Sequence, residues 1–294
     1  MTILETVGRT PLLPIFEGNK GTRIFAKAEF FNPSGSVKDR AVKGMLDDAI
    51  KSGKLTKEKI ILDATSGNTG IAYAMFGAAL GYKVALCLPA NASKERKRLL
   101  KIYQAEIIPT SPLESSDGAL LKARQLYNEN PEKYYYPDQY NNNENWKAHY
   151  NNTAAEIWEQ TNQKITHFVA GMGTSGTFTG TARRLKEFNP SIKTIPMQPE
   201  SPLHGLEGMK HMASTILPGF YDPTLFDGQI NVSTEEAKKM TRKLAEETGL
   251  FVGVSSGANV LAAVKLAEKL SPNEIIVTIL CDNGHRYLSD ELWD

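Results

Sequence analysis

Along this chain, apolar runs of strand length alternate with longer amphipathic stretches. The strand-like runs are Arg23–Lys27, Lys59–Ala64, Lys83–Pro89, Glu106–Pro109, His167–Ala170, Thr194–Gln198 and Glu274–Cys281. Between them, helical patterning predicts helices over Val37–Ser52, Thr69–Leu80, Lys94–Tyr103, Leu113–Tyr127, Trp146–Gln160, Gly176–Phe188, Thr234–Thr248 and Gly257–Leu270. Parallel strands need a long crossover, so this alternation argues for an α/β fold with parallel sheets flanked by helices. Two stretches lack any period. Asp138–Asn145 (DQYNNNEN) is polar and Asn-rich and reads as a loop or interdomain crossing, of the kind a ligand cleft often lies beside. Pro196–Pro223 holds five prolines around Met209-Lys210-His211-Met212 and reads as a substrate-facing loop.

Composition narrows the class. At about 150 residues per domain, 294 residues make two domains or one large one. Lys and Arg number 34 against 33 Asp and Glu, a net charge of +1, which gives no footprint for nucleic acid. No apolar run approaches the roughly 18 residues of a membrane span. Met1–Glu5 lacks the basic-then-apolar pattern of a secretory signal, so a cytoplasmic location is expected. Cys87 and Cys281 cannot build a disulfide framework, and the five His show no His-x-x-x-His spacing, so no metal is expected.

The chemistry gathers at strand-to-helix turns. In Asn32-Pro-Ser-Gly-Ser-Val-Lys-Asp-Arg40, Pro33 and Gly35 end a strand, and Ser36 can cap a helix whose first turn holds Lys38. The helix dipole disfavours an ammonium there, and burial adds to the effect, so a neutral amine able to form a Schiff base is favoured. An ordinary solvated lysine beside Asp39 reads equally from this loop alone. Thr65-Ser66-Gly67-Asn68-Thr69-Gly70 brings hydroxyls, an amide and free N–H groups to a helix start, a cradle for a carboxylate or phosphate or else plain capping chemistry. Gly171-Met-Gly173-Thr174-Ser175-Gly176-Thr177 contains G-x-G-x-x-G, but no acid stands about 20 residues on, where a dinucleotide site needs one. Its hydroxyls fit a terminal phosphate instead. Gly253-Val-Ser255-Ser-Gly257 forms a fourth such turn, and Cys281-Asp282 ends the last strand, where Cys281 is either a small core residue or faces the crevice. A phosphate cradle, a carboxylate cradle and a reactive lysine together are what pyridoxal 5′-phosphate and an amino-acid substrate require.

At these motifs the chain resembles the fold type II pyridoxal-phosphate enzymes, and among them the cysteine synthases (O-acetylserine sulfhydrylases). The resemblance runs from Ile3-Leu-Glu-Thr-Val-Gly-Arg-Thr-Pro-Leu12 to Arg286-Tyr-Leu-Ser289. It implies that Lys38 carries the cofactor, that Gly173, Thr174, Ser175, Gly176 and Thr177 hold its phosphate, and that Ser255, with Asp282 as rival, meets the pyridine nitrogen. It further implies that Thr65, Ser66, Gly67, Asn68, Thr69 and Gln139 bind the substrate carboxylate, with Asn68 near the cofactor's 3′-oxygen. Asp138-Gln-Tyr-Asn-Asn142, Gln198-Pro-Glu200 and Cys281-Asp282 are most similar to the B type of these enzymes, which uses thiosulfate as well as sulfide. Where that type carries Arg-Arg-Trp, this chain has Lys210-His211-Met212, so Lys210 is the expected attractor of thiosulfate, as a point charge rather than a planar fork.

The implied architecture is a two-domain fold with parallel or mixed twisted sheets: a small mobile domain over 34–142, and a larger one, 1–33 and 143–294, carrying the phosphate loop. The implied reaction is β-replacement on O-acetyl-L-serine, giving cysteine or S-sulfocysteine and acetate. A homodimer with small-molecule substrates, no nucleic acid and no membrane follows from the same resemblance. The alternatives are a serine/threonine dehydratase, a cystathionine β-synthase-like enzyme and, more remotely, a nicotinamide-dependent dehydrogenase built on Gly171, Gly173 and Gly176.

Overall fold

A computed structural model describes residues 2–17, 21–65 and 67–293, the side chains of 114–116 excepted. In chain order the elements are β1 (Leu12–Glu17), β2 (Arg23–Ala28), α1 (Lys38–Lys51), β3 (Ile60–Ala64), α2 (Asn68–Leu80), β4 (Val84–Pro89), α3 (Lys94–Ile102), β5 (Glu106–Thr110), α4 (Ser115–Glu129), β6 (Tyr134–Tyr135) and α5 (Asn143–Ala148). There follow α6 (Ala154–Gln160), β7 (His167–Gly171), α7 (Gly176–Phe188), β8 (Lys193–Pro199), β9 (Ile230–Val232), α8 (Thr234–Thr248), α9 (Val254–Ala267) and β10 (Ile275–Leu280). The chain forms two compact units, Met1–Val7 with Lys38–Asn145, and Gly8–Val37 with Trp146–Asp294.

The first unit is built on a four-stranded parallel sheet in the order β5-β4-β3-β6. Val42, Met45 and Leu46 of α1 join Ile71 and Phe76 of α2 in one core with Ile61, Leu86 and Leu88 of the sheet. Ala119, Leu120 and Ala123 of α4 pack with Leu62, Ala85 and Cys87 in another. Helices on both faces are what an all-parallel sheet requires, and its central strands β3 and β4 are correspondingly apolar except for Asp63.

The second unit holds a six-stranded sheet, β1-β2-β10-β7-β8-β9, mixed because β1 pairs antiparallel with β2. Ala258, Ala262 and Ala263 of α9 pack with Val169 and Ile276. Phe178, Ala182 and Leu185 of α7 and Ile157 of α6 pack with Phe168, Val277 and Ile279. Pro196 lies inside β8, but β9 pairs only from Met197 onward, so a residue without an N–H sits where that partner strand has not begun. Helix α8 starts with a reciprocal cap, in which Ser233 Oγ accepts the Glu236 N–H and the Glu236 carboxylate accepts the Ser233 N–H, and it ends at left-handed Gly249.

The expected helices and central strands form within a few residues of their expected bounds. One does not stay whole: Trp146–Gln160 divides into α5, a π-helical turn at His149–Thr153, and α6. The cause is packing against α7, where a side chain on Gly180 would collide with the Trp146 carbonyl and crowd Tyr150 N. The Asn-rich stretch is a loop only as far as Asn142. Asn142 Oδ1 there accepts the Glu144 N–H (3.0 Å) and α5 begins. Helix α9 starts at Val254, three residues before the predicted start, so Ser255 stands inside its first turn. Ser36 pairs with Asp282 in an isolated bridge, and Val37 separates it from α1, so it is not the residue flanking that helix.

Helices α8 and α9 approach so closely at Gly257 that a methyl there would run into Thr241 Oγ1 and the Ala237 carbonyl. Gly257→Ala is therefore expected to lower stability by about 1–3 kcal/mol through overpacking, read as a fall in the urea midpoint at unchanged slope.

Candidate active site

Two turns, one in each unit, carry the predicted chemistry. In the second unit, β7 ends at Gly171 and the chain winds into α7 within a few residues. Ser175 makes the turn in the left-handed region (φ 62°), unusual for a residue with a side chain, and the Thr179 N–H donates to its carbonyl (2.8 Å). Its hydroxyl is buried and has no hydrogen-bond partner among the described residues. Thr174 is buried as well, its Oγ1 3.4 Å from the Gly176 nitrogen, and Thr177 Oγ1 lies 3.3 Å from His149 Nε2. Gly173 has no room for a side chain, because a Cβ would run into the Gly208 carbonyl oxygen. The Lys210 N–H donates to the Met172 carbonyl (2.8 Å), which sets residues 208–210 along the turn. Lys210 Nζ itself donates to Thr215 Oγ1 (3.0 Å).

The turn is braced from behind by a residue the sequence reading passed over. Asn259, 1% exposed on α9, accepts the Gly171 N–H on Oδ1 (2.7 Å) and donates from Nδ2 to the Ile279 carbonyl (2.9 Å) and toward Cys281 Sγ (3.4 Å). It stands one turn beyond Ser255, which is buried in the first turn of the same helix. Ser256 Oγ accepts the Cys281 N–H (2.8 Å). Asp282 lies against Gly253, and its Oδ2 accepts the Tyr287 hydroxyl (2.6 Å).

In the first unit, β3 runs out at Ala64 and α2 begins at Asn68, with Gly67 as its cap residue. The Thr65 N–H donates to the Cys87 carbonyl (3.1 Å), and the Gly67 N–H to Thr65 Oγ1 (3.2 Å). Buried Gln139 closes the turn: its Oε1 accepts the Thr69 hydroxyl (3.0 Å) and its Nε2 donates to the Ala64 carbonyl (3.1 Å). Helix α5 holds Gln139 in place, Asn145 Nδ2 donating to the Gln139 carbonyl (2.7 Å). Thr65, Gly67, Asn68, Thr69 and Gln139 are thus brought together, while Ser66 lies outside the described residues. Lys38 is the first residue of α1 and is half-buried, followed directly by fully buried Asp39.

The 171–177 turn fits a phosphate dianion. It offers a buried hydroxyl in want of a partner, a glycine whose place no side chain can take, and the start of a thirteen-residue helix. The model of the pyridoxal-phosphate dependent enzymes matches residues 3–282, and the chain belongs to that family. A cysteine synthase from Aquifex aeolicus is 50% identical over 99% of this chain and 92% of its own length. Cysteine synthase B from Escherichia coli is 39% identical over 98% of this chain and 94% of its own length. The crystal structure of a cysteine synthase from Entamoeba histolytica superposes with a TM-score of 0.94 at 39% identity, covering 99% of this chain and 90% of that one. Family membership makes pyridoxal phosphate the cofactor and sets aside the nicotinamide reading of Gly171, Gly173 and Gly176.

Gly173→Ala would force residue 208 away from the turn. Cofactor affinity is expected to fall by about 1–3 kcal/mol, some five- to 150-fold, with the far-ultraviolet spectrum unchanged. Equilibrium dialysis against pyridoxal phosphate measures it.

Proposed function

We propose that this chain catalyses β-replacement on O-acetyl-L-serine, releasing acetate and joining sulfide to Cβ to give L-cysteine. The observation that carries this reading is the Thr65–Thr69 turn with Gln139 locked into it, in a chain half identical to an enzyme named cysteine synthase. Such a turn offers hydroxyls and N–H groups to an α-carboxylate without a competing cation.

Bound pyridoxal phosphate supplies an electron sink that acidifies the substrate Cα–H. In this reading the Lys38 ε-nitrogen would hold the cofactor, and it would be the base next to the substrate Cα. It takes the Cα proton and returns it at the end of the cycle. Residues 173–177 bind the phosphate, and Asn68 reaches the 3′-oxygen. Thr65, Ser66, Gly67, Asn68, Thr69 and Gln139 bind and orient the carboxylate. The Ser255 hydroxyl would meet the ring nitrogen as a neutral hydrogen-bond partner. A serine there makes a weaker sink than a carboxylate partner would, which favours loss of acetate from Cβ over transamination. Acetate leaves with the Cβ–O electron pair, and sulfide brings the pair that forms Cβ–S.

Thiosulfate as a second donor belongs to the same proposal and rests on Lys210, next to the phosphate turn. The resemblance also carries a homodimer and a cytoplasmic location into the reading. Among the described residues no helix is long and apolar enough to cross a membrane.

With O-acetylserine and sulfide, purified enzyme is expected to yield cysteine and acetate in equal amounts. Pyruvate as the main product would favour a dehydratase instead. Lys38→Ala should lose roughly 10²–10⁴ in kcat and the visible absorbance of lysine-bound cofactor while retaining the fold. A variant with wild-type turnover would remove Lys38 from the reaction. Lys210→Ala should raise KM for thiosulfate and leave that for sulfide unchanged.

A further inference from the structure

Within the first unit an acidic side chain stands directly behind the carboxylate turn. Asp63 is the fourth residue of β3 and is 1% exposed in the core between the sheet and its helices. Its Oδ1 accepts the Ala64 N–H (2.7 Å). Its Oδ2 is buried and has no hydrogen-bond partner among the described residues. Ala64 is the residue whose carbonyl Gln139 holds, and Gln139 in turn holds Thr69. Asp63 and Gln139 therefore grip the same residue, where the strand gives way to the turn.

Among the described residues no basic group is paired with this carboxyl. Tyr73 of α2 faces it, the Tyr73 hydroxyl also lying 3.7 Å from Met45 Sδ of α1. Tyr135 packs in the same core and Asp138 acts on the carboxyl by charge, whereas Cys87, Tyr136 and Tyr140 belong to the core on the other face of the sheet, with α4. Of the basic groups nearby, Arg124 pairs with Asp138 at 3.8 Å, and Lys122 acts on Cys87. Burial, opposed by the Ala64 N–H and Tyr73 and aided by Asp138, pushes the Asp63 carboxyl up to about 7. The folded protein therefore exchanges this proton in the neutral range.

We propose that Asp63 is a proton-linked positioning residue, taking up a proton when an anionic carboxylate docks on the Thr65–Thr69 turn. A second negative charge on the turn that begins two residues beyond Asp63 raises the cost of keeping it ionised where burial already disfavours the charge. The added proton has a place to go, because Oδ2 is the buried atom that lacks a partner among the described residues and the Tyr73 hydroxyl faces the group. Linkage is reciprocal: if the docked anion favours neutral Asp63, neutral Asp63 favours the docked anion. Below about pH 7 the acid is already neutral and the anion binds at full strength. As pH rises through that value, binding must draw a proton from solution, and affinity falls.

This inference rests on the carboxylate reading of the turn, and the test separates the two. Holoenzyme is titrated with propionate, a carboxylate with no amine to titrate, from about pH 6 to about pH 9. Wild type is expected to bind about tenfold more weakly at the alkaline end for each pKa unit by which docking shifts Asp63. Asp63→Asn, which is neutral throughout, should bind with little pH dependence, and Asp63→Glu should restore it. Infrared difference spectra should show a protonated-carboxyl band appearing on propionate binding in wild type and missing in Asp63→Asn, a readout that mere structural support would not move. Equal pH dependence in wild type and Asp63→Asn, or no such band, would overturn the linkage while leaving the turn as a carboxylate site. Failure of propionate to bind wild type at any pH would overturn the carboxylate reading and the linkage together.

Discussion

The second unit turns on one backbone amide, the N–H of Gly171. At that residue the chain must leave a sheet in which β7 is enclosed by β10 and β8, and wind into a helix almost at once. An unpaired buried N–H costs about 1–3 kcal/mol. Asn259 removes that cost and fastens its other amide atom to Ile279 of β10, so helix α9, strand β7 and strand β10 are tied at one point. Ser255 sits one turn earlier on α9. The group proposed for the pyridine nitrogen and the turn that fits the phosphate are thereby fixed to a common rigid element. A site that must hold both ends of one aromatic cofactor needs that fixity. The Gly173–Gly208 approach completes the brace from the other side with backbone alone, which is why neither a larger residue nor a mobile side chain would serve there.

The turn in the first unit follows a different logic. It too leaves the end of a parallel strand for the start of a helix, but several of its described groups are bonded to one another: Gly67 to Thr65, Thr69 to Gln139, Gln139 to Ala64. The phosphate turn keeps a buried hydroxyl in reserve; this one keeps its shape. Each matches its proposed ligand. A cofactor that stays bound can complete the hydrogen bonding of its pocket permanently. A substrate that arrives and leaves each cycle is better served by a turn that is satisfied without it, since an unfilled buried site would be destabilised between turnovers. Gln139 Nε2 retains a second proton beyond the one given to Ala64, so supporting the turn and reaching a carboxylate are compatible roles.

Central elements were legible from periodicity because burial enforces it: β3, β4, β7 and β10 are predominantly apolar, and α7 and α8 carry clear one-sided stripes. The unpredicted strands are the edge pieces. β1 carries Pro14 beside a register shift, β6 has two residues and β9 three, too few for alternation to register. The π turn at His149–Thr153 was illegible because its cause lies at Gly180, some thirty residues away. In the site, the glycine- and hydroxyl-rich turns were visible as local runs, whereas Asn259 and His149 act through partners distant in sequence and Asp63 stands out only by its burial. A signal existed for two of them. An Asn inside the apolar run of α9, and an Asp inside Ile60–Ala64, are polar residues at positions the pattern assigns to the core, and such residues are retained only where something specific holds them.

Helix α1 shows how a fold tolerates a lysine where physics disfavours one. An ammonium in a first helical turn is opposed by about 0.3–1 kcal/mol, and an acid in the same turn is favoured by a similar amount. Lys38 and Asp39 stand side by side at the start of α1, so the unfavourable charge and the favourable one fall in a single turn and the helix end is roughly neutral in cost. Asp39 is fully buried, whereas Lys38 is only half-buried. The acid is therefore fixed in the core, and the amine is left at the boundary, where it can change its bonding without unravelling the helix. A dipole of that size only tilts the balance toward the neutral amine. The proposed role of Lys38 asks for a lysine free to make and break a covalent bond, and this helix start sets the acid that favours it one residue further along, in the core.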